Sequence, residues 1–98
     1  MAYRIELTTQ ALADIAAMKV FDRKRVVDGI EAQLINEPAV ETRNRKRLRP
    51  NALAEWELRV GIFRVFYDVP SANDVARVVA VGYKVANTLY IRGQRYEL

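Results

Sequence analysis

Arg59 and Arg64 stand symmetrically about Gly61-Ile62 in the stretch EWELRVGIFRVFY, residues 55–67. Alternation on both sides reads as two strands, and Gly-X between strands reads as a tight hairpin turn with glycine first. Counting outward pairs Val60 with Phe63, Arg59 with Arg64, Leu58 with Val65, Glu57 with Phe66 and Trp56 with Tyr67. Cross-strand partners share a face. One face therefore carries Val60, Phe63, Leu58, Val65, Trp56 and Tyr67 and belongs to a core. The other carries Arg59, Arg64, Glu57 and Phe66. Like charges set directly opposite repel by roughly a few tenths of a kcal/mol. A bound phosphate would turn that repulsion into a two-pronged clamp, because guanidinium groups suit forked phosphate contacts. The plainer reading is a solvated face on which Glu57 and other acids neutralise the pair. Phe66, on the charged face, either stacks on a base or lies covered by the tail or a partner.

The rest of the composition narrows the chemistry. The chain has 98 residues, one small domain spanning 1–98, with no cysteine and no histidine. That removes disulfides, thiol nucleophiles, Ser-His-Asp triads and metal sites built on thiolate or imidazole. The glycines, at 29, 61, 82 and 93, form neither a P-loop nor a dinucleotide fingerprint. Catalysis would fall to Arg, Lys, Tyr, Asp, Glu or hydroxyl groups. The net charge of +4 is concentrated: between Pro38 and Ala54 lie Arg43, Arg45, Lys46, Arg47 and Arg49 against the single acid Glu41. The remaining 11 bases and 11 acids cancel. One basic segment on a neutral body is the footprint of a polyanion binder, or else a solvated loop. No uncharged run exceeds seven residues, whereas a membrane helix needs about 20. The opening MAYRIELTTQ lacks an apolar signal core, so a cytoplasmic protein without membrane contact is expected.

These residues need a scaffold. Tyr3, Ile5 and Leu7 alternate with Arg4 and Glu6 as a first strand. TTQALADIAAMK reads as a helix capped by Thr8 or Thr9, with Leu12, Ile15, Ala16 and Met18 as its apolar stripe. FDRKRVVDGIEAQLINEP reads as a second helix, capped by Asp22, with Val26, Val27, Ile30 and Leu34 inward and Glu37-Pro38 at its end. Gly29 within it costs up to about 1 kcal/mol relative to Ala, or permits close packing. A short strand is expected around 47–49. Then come the two hairpin strands, a PSAND turn at 70–74 and an apolar strand from Val75 to Val81 that Gly82 ends. The tail from Tyr83 shows no clear periodicity. The class is α+β: an N-terminal strand and a helical hairpin packed on one face of a small, mainly antiparallel twisted sheet.

WELRVGIFRVFYDV, a turn, and then VARVVAVGYKVANTLY resemble the RelE/ParE superfamily of bacterial toxins, over nearly the whole chain. ALADIAAMK lacks the aromatic-acidic motif usual in the first helix of the gyrase-poisoning ParE branch, so the likeness is closer to the RelE branch. The resemblance implies a type II toxin held by a flexible cognate antitoxin. It further implies a ribosome-dependent endoribonuclease that cuts mRNA by attack of a ribose 2′-hydroxyl on the adjacent phosphate, without metal or other cofactor. By position, Arg64 would be the family's phosphate-stabilising arginine and Arg59 would replace a catalytic-face lysine. Lys84 would be the cation on the leaving-group side, and Tyr90 the late tyrosine that stacks on a base or moves a proton. Glu57 departs from the lysine-rich branch; it would be a general base, as carboxylates are in other branches, or a partner of Arg59. The basic run from Arg43 to Arg49 would grip ribosomal RNA backbone. The alternatives are a ParE-like, non-enzymatic gyrase inhibitor and a degenerate member that binds only nucleic acid or antitoxin.

Overall fold

A computed structural model describes residues 2–98. Strand β1 (Arg4–Leu7) leads into α1 (Thr9–Ala16) and α2 (Val20–Leu34). Six strands follow: β2 (Arg45–Arg47), β3 (Trp56–Val60), β4 (Phe63–Asp68), β5 (Val75–Val85), β6 (Thr88–Ile91) and β7 (Gln94–Tyr96). One sheet runs β2-β3-β4-β5-β6-β7, with β1 paired parallel to the first half of β5 and every other pairing antiparallel. The α+β class and the one-sided helical hairpin are as expected.

Local chemistry explains the helices. Thr8 caps α1, its hydroxyl accepting from the Ala11 amide at 3.1 Å. Helix α2 begins at Val20 after Lys19, which makes no side-chain cap bond. Asp22, expected as the cap, instead lies in the first turn, where its charge suits the helix dipole. Ala11 and Ile15 of α1 and Val26, Ile30 and Leu34 of α2 enter the core, while Leu12 and Val27 stay exposed. Gly29 is there for close packing: a Cβ would lie 2.8 Å from Val60 Cγ2.

The expected hairpin is present in the expected register, Arg59 opposite Arg64 and Trp56 opposite Tyr67. Gly61 holds φ at +59°, as a turn with glycine first requires. Trp56, Leu58, Phe63, Val65 and Tyr67 pack beneath the helices. The Tyr67 hydroxyl donates to the Pro38 carbonyl at 2.7 Å.

Three boundaries differ from expectation. The short strand lies at Arg45–Arg47, where it pairs with Trp56–Leu58. Gly82 does not end β5, which runs on to Val85; a Cβ there would run into the Tyr90 carbonyl oxygen, so the missing side chain admits β6. The tail forms β6 and β7 through two tight turns, Ala86-Asn87 (φ 49° and 73°) and Arg92-Gly93 (φ 54° and 77°). Phe66 with Ala54, Ala80, Leu89 and Ile91, joined by Leu48, Leu53 and Val79, makes a second, smaller core cluster.

Candidate functional site

The pairing of strands sorts every candidate side chain onto one of two faces. Phe63 pairs with Tyr83, Tyr83 with Tyr90, and Tyr90 with Arg95, so these lie on the helix side. Arg59 pairs with Arg64 and Arg64 with Gly82; Lys46 pairs with Glu57 and Glu57 with Phe66. Lys84 pairs with Leu89, and Leu89 with Tyr96. The opposite face therefore gathers Lys46, Glu57, Arg59, Arg64, Lys84 and Tyr96.

Glu57, Lys84 and Tyr96 line a single open cavity of about 420 Å³, with Asn87, Leu89 and the chain end at Glu97-Leu98. Glu57 is only 8% exposed, yet no ion pair or hydrogen bond to its carboxylate forms among the described residues. The alternative reading of Glu57 as a salt-bridge partner of Arg59 thus finds no contact.

Arg64 is equally buried, at 8% exposed. Its Nη1 donates to the carbonyls of Gly61 (2.8 Å) and Phe63 (3.0 Å), which fastens the hairpin turn. Its Nε is buried without a partner, a donor the chain leaves unused. Burial, with the charge of Arg59 adding to it, pulls the Arg64 pKa below its ordinary value, while Glu57 opposes the shift. The group stays a cation, as arginine does throughout the physiological range. Arg59 is exposed beside it.

Three expected site residues sit elsewhere. Tyr90 lies on the helix side, its ring stacked on Tyr83 at 5.5 Å, because the two-residue turn at Ala86-Asn87 sets it opposite Tyr83 and not on the side of Lys84. Phe66 is fully buried under the loop and tail residues of the second cluster, so no base can stack on it. Arg45 is 9% exposed and spends its guanidinium on the Val40 carbonyl and on the carbonyl and Oε1 of Gln33. It ties the basic loop to α2. Arg43, Lys46, Arg47 and Arg49 are exposed, although strand alternation splits them: Lys46 lies beside Glu57, and the Arg47 guanidinium sits 5.6 Å from the Trp56 ring centroid.

Tyr96, which sequence reasoning left unplaced, lines the same cavity as Glu57 and Lys84. The signal was available: counting outward from Arg92-Gly93 as from Gly61-Ile62 pairs Leu89 with Tyr96.

A family model for the ParE toxin of the type II toxin-antitoxin system parDE matches residues 5–85. The chain belongs to that family. It is thus a type II toxin of the RelE/ParE superfamily, as the resemblance implied. Solved structures in the same superfamily share its fold. A chain of the toxin-antitoxin complex RelBE2 from Mycobacterium tuberculosis superposes with a TM-score of 0.74 at 23% identity, over 86% of this chain and 93% of that one. A chain of the archaeal RelE-RelB complex from Pyrococcus horikoshii gives 0.66 at 19% identity, over 83% and 93%. No curated protein matches the chain. The family model is the ParE one, and both solved relatives are RelE complexes. Within this superfamily fold, the face bearing Glu57, Arg59, Arg64, Lys84 and Tyr96 carries a carboxylate, cations and a phenol on one side of the sheet.

Proposed function

We propose that this toxin is a ribosome-dependent endoribonuclease that cuts mRNA by 2′-hydroxyl attack on the neighbouring phosphate. The observation that supports the reading is the shared cavity of Glu57, Lys84 and Tyr96, which brings a carboxylate, an amine and a phenol to one place. The Glu57 carboxylate takes the 2′-hydroxyl proton as the O2′–P bond forms. Arg59 and Lys84, with the field of buried Arg64 behind them, offset charge building on the phosphorane oxygens. The P–O5′ bond breaks, and the Tyr96 hydroxyl delivers the proton that O5′ needs, leaving a 2′,3′-cyclic phosphate and a free 5′-hydroxyl. The exposed bases Arg43, Lys46, Arg47 and Arg49 hold RNA backbone. A cognate antitoxin, as in the two related complexes, would keep the toxin in check. The test is in vitro translation with purified ribosomes and mRNA, followed by mapping of the 3′ ends: cuts within codons in the ribosomal A site are expected, and intact mRNA would sink the reading. The match to the ParE model favours a second reading, inhibition of DNA gyrase. Stalled gyrase reactions beside uncut mRNA would establish that instead. A member that only binds nucleic acid or antitoxin would do neither.

A further inference from the structure

A second cavity, of about 670 Å³, opens between the segment 47–55 and Asp68, Pro70 and Arg77. Its wall is stapled by one side chain. Asn51 Nδ2 donates to the carbonyls of Arg49 (2.7 Å) and Ala54 (2.9 Å), while Oδ1 accepts from the amides of Leu53 (2.7 Å) and Ala54 (3.0 Å). The two carboxylates at the rim are already engaged: Asp68 Oδ1 accepts from the Glu55 amide at 2.8 Å and Glu55 Oε1 from the Val69 amide at 3.3 Å. Arg77 leans on Glu6 at 3.4 Å. Arg47 and Arg49 have no ion-pair partner among the described residues, and Arg47 is steadied over Trp56. Between the arginines, Leu48, Pro50 and Leu53 give an apolar lining.

We infer that this cavity is a nucleotide subsite for single-stranded RNA, with phosphate on Arg47 and Arg49 and a base against Leu48 and Leu53. The inference rests on the nuclease reading and extends it. Glu55 lines this cavity and Glu57 the first, two residues apart and so roughly 6–7 Å along an extended chain. A strand reacting at Glu57 and running along β3 toward Glu55 would bring a flanking nucleotide to the second cavity. The chemistry favours a nucleotide over an acidic peptide. The backbone here is already paired, the Leu48 amide donating to the Glu55 carbonyl at 2.8 Å, so no ladder is open to an added strand. Cations beside a flat apolar surface are what an unstacked base and its phosphate need.

The test is fluorescence anisotropy of a labelled 2′-O-methyl hexaribonucleotide, which lacks the attacking hydroxyl and cannot be cut, against the purified toxin. Arg49→Ala and Arg47→Ala are each expected to weaken binding about 3- to 10-fold and to lower the salt slope by about 0.7, the value for one phosphate contact on a single strand. Lys19→Ala, an exposed cation at the start of α2 and outside the cavity, should change it less than about twofold. Circular dichroism confirms that each variant is folded. Hexamer binding equal in the Arg49 and Lys19 variants overturns the subsite, as does no hexamer binding by the wild type. So does a labelled hexaglutamate that binds and depends on Arg49 while the RNA does not. Hexamer binding lost in Arg49→Ala, beside mRNA left intact in translation, would keep the subsite and refute the nuclease.

Discussion

Under the nuclease reading, Glu57 and Tyr96 carry the two proton transfers, and Tyr90 on the other face is the natural control for Tyr96. If Glu57 is the base, Glu57→Gln keeps shape and polarity but cannot accept the proton, and cleavage should fall about 100-fold or more. A charge-balancing carboxylate would tolerate Gln and gain from Lys, so measuring both variants in the translation assay separates the roles. Tyr96→Phe should cost at least about tenfold, whereas Tyr90→Phe, on the other face, should leave cleavage within about twofold. The reverse pattern would restore the assignment that the family resemblance implies. Arg64→Ala should relieve growth inhibition with the circular dichroism spectrum retained. Its melting temperature should nonetheless fall, because two hydrogen bonds to the turn go with it, worth about 1.5–3 kcal/mol each for a charged donor. Tyr67 gives a pH signature. Burial raises its pKa well above the ordinary tyrosine value, with the charge of Arg45 opposing the shift. A raised folded pKa means stability that is present below the unfolded value of about 10 and is lost as pH climbs toward the folded one. Urea titrations at pH 9 and 11 should show a steeper loss for the wild type than for Tyr67→Phe.

At the scale of elements, the two hairpins show what a sequence can and cannot announce. The Gly61-Ile62 hairpin was legible because glycine sat where φ is positive and the flanks alternated cleanly, so register and faces followed by counting. The tail obeys the same rule, but one of its turns uses Ala86-Asn87, where a residue with a Cβ takes φ of 49°. Nothing in the residue type marks alanine for that conformation. With the turn unmarked, the family resemblance alone assigns Tyr90 to the site, and the pairing sets it opposite Tyr83, on the helix side. Burial was harder still: Arg45 and Arg49 look alike in the basic run, and only the position of Gln33 on α2 makes one structural. Gly82 offers a test at this scale. Gly82→Ala forces a Cβ against the Tyr90 carbonyl, and overpacking of this kind costs about 1–3 kcal/mol. Because that contact is where β6 meets β5, cleavage should fall along with the melting temperature as Tyr96 leaves the cavity. A variant that loses stability and keeps full cleavage would show that the tail is not part of the site.

For the whole molecule, charge and stability are separable. The net charge of +4 equals the charge of one segment, 39–53, and the rest of the chain is neutral. Arg45 is consumed by the fold, which leaves Arg43, Lys46, Arg47 and Arg49 as exposed bases for a polyanion. If all four meet phosphates on a single strand, the binding constant should fall with a log–log salt slope of about −2.8, or roughly 50-fold for a fourfold rise in salt. Folding should respond little. The ion pairs Arg4–Glu6, Lys24–Asp28, Arg77–Glu6 and Arg92–Asp14 each include a partner at least 40% exposed, and such pairs contribute about 0–1 kcal/mol. The stability instead rests on apolar packing under the helices and around Phe66. Anisotropy and thermal melts on the same salt series should therefore diverge: affinity for the 2′-O-methyl hexamer drops steeply while the melting temperature stays within a few degrees. A melting temperature that falls in step with affinity would mean that salt acts on the fold, and the basic segment would lose its standing as a separate binding surface.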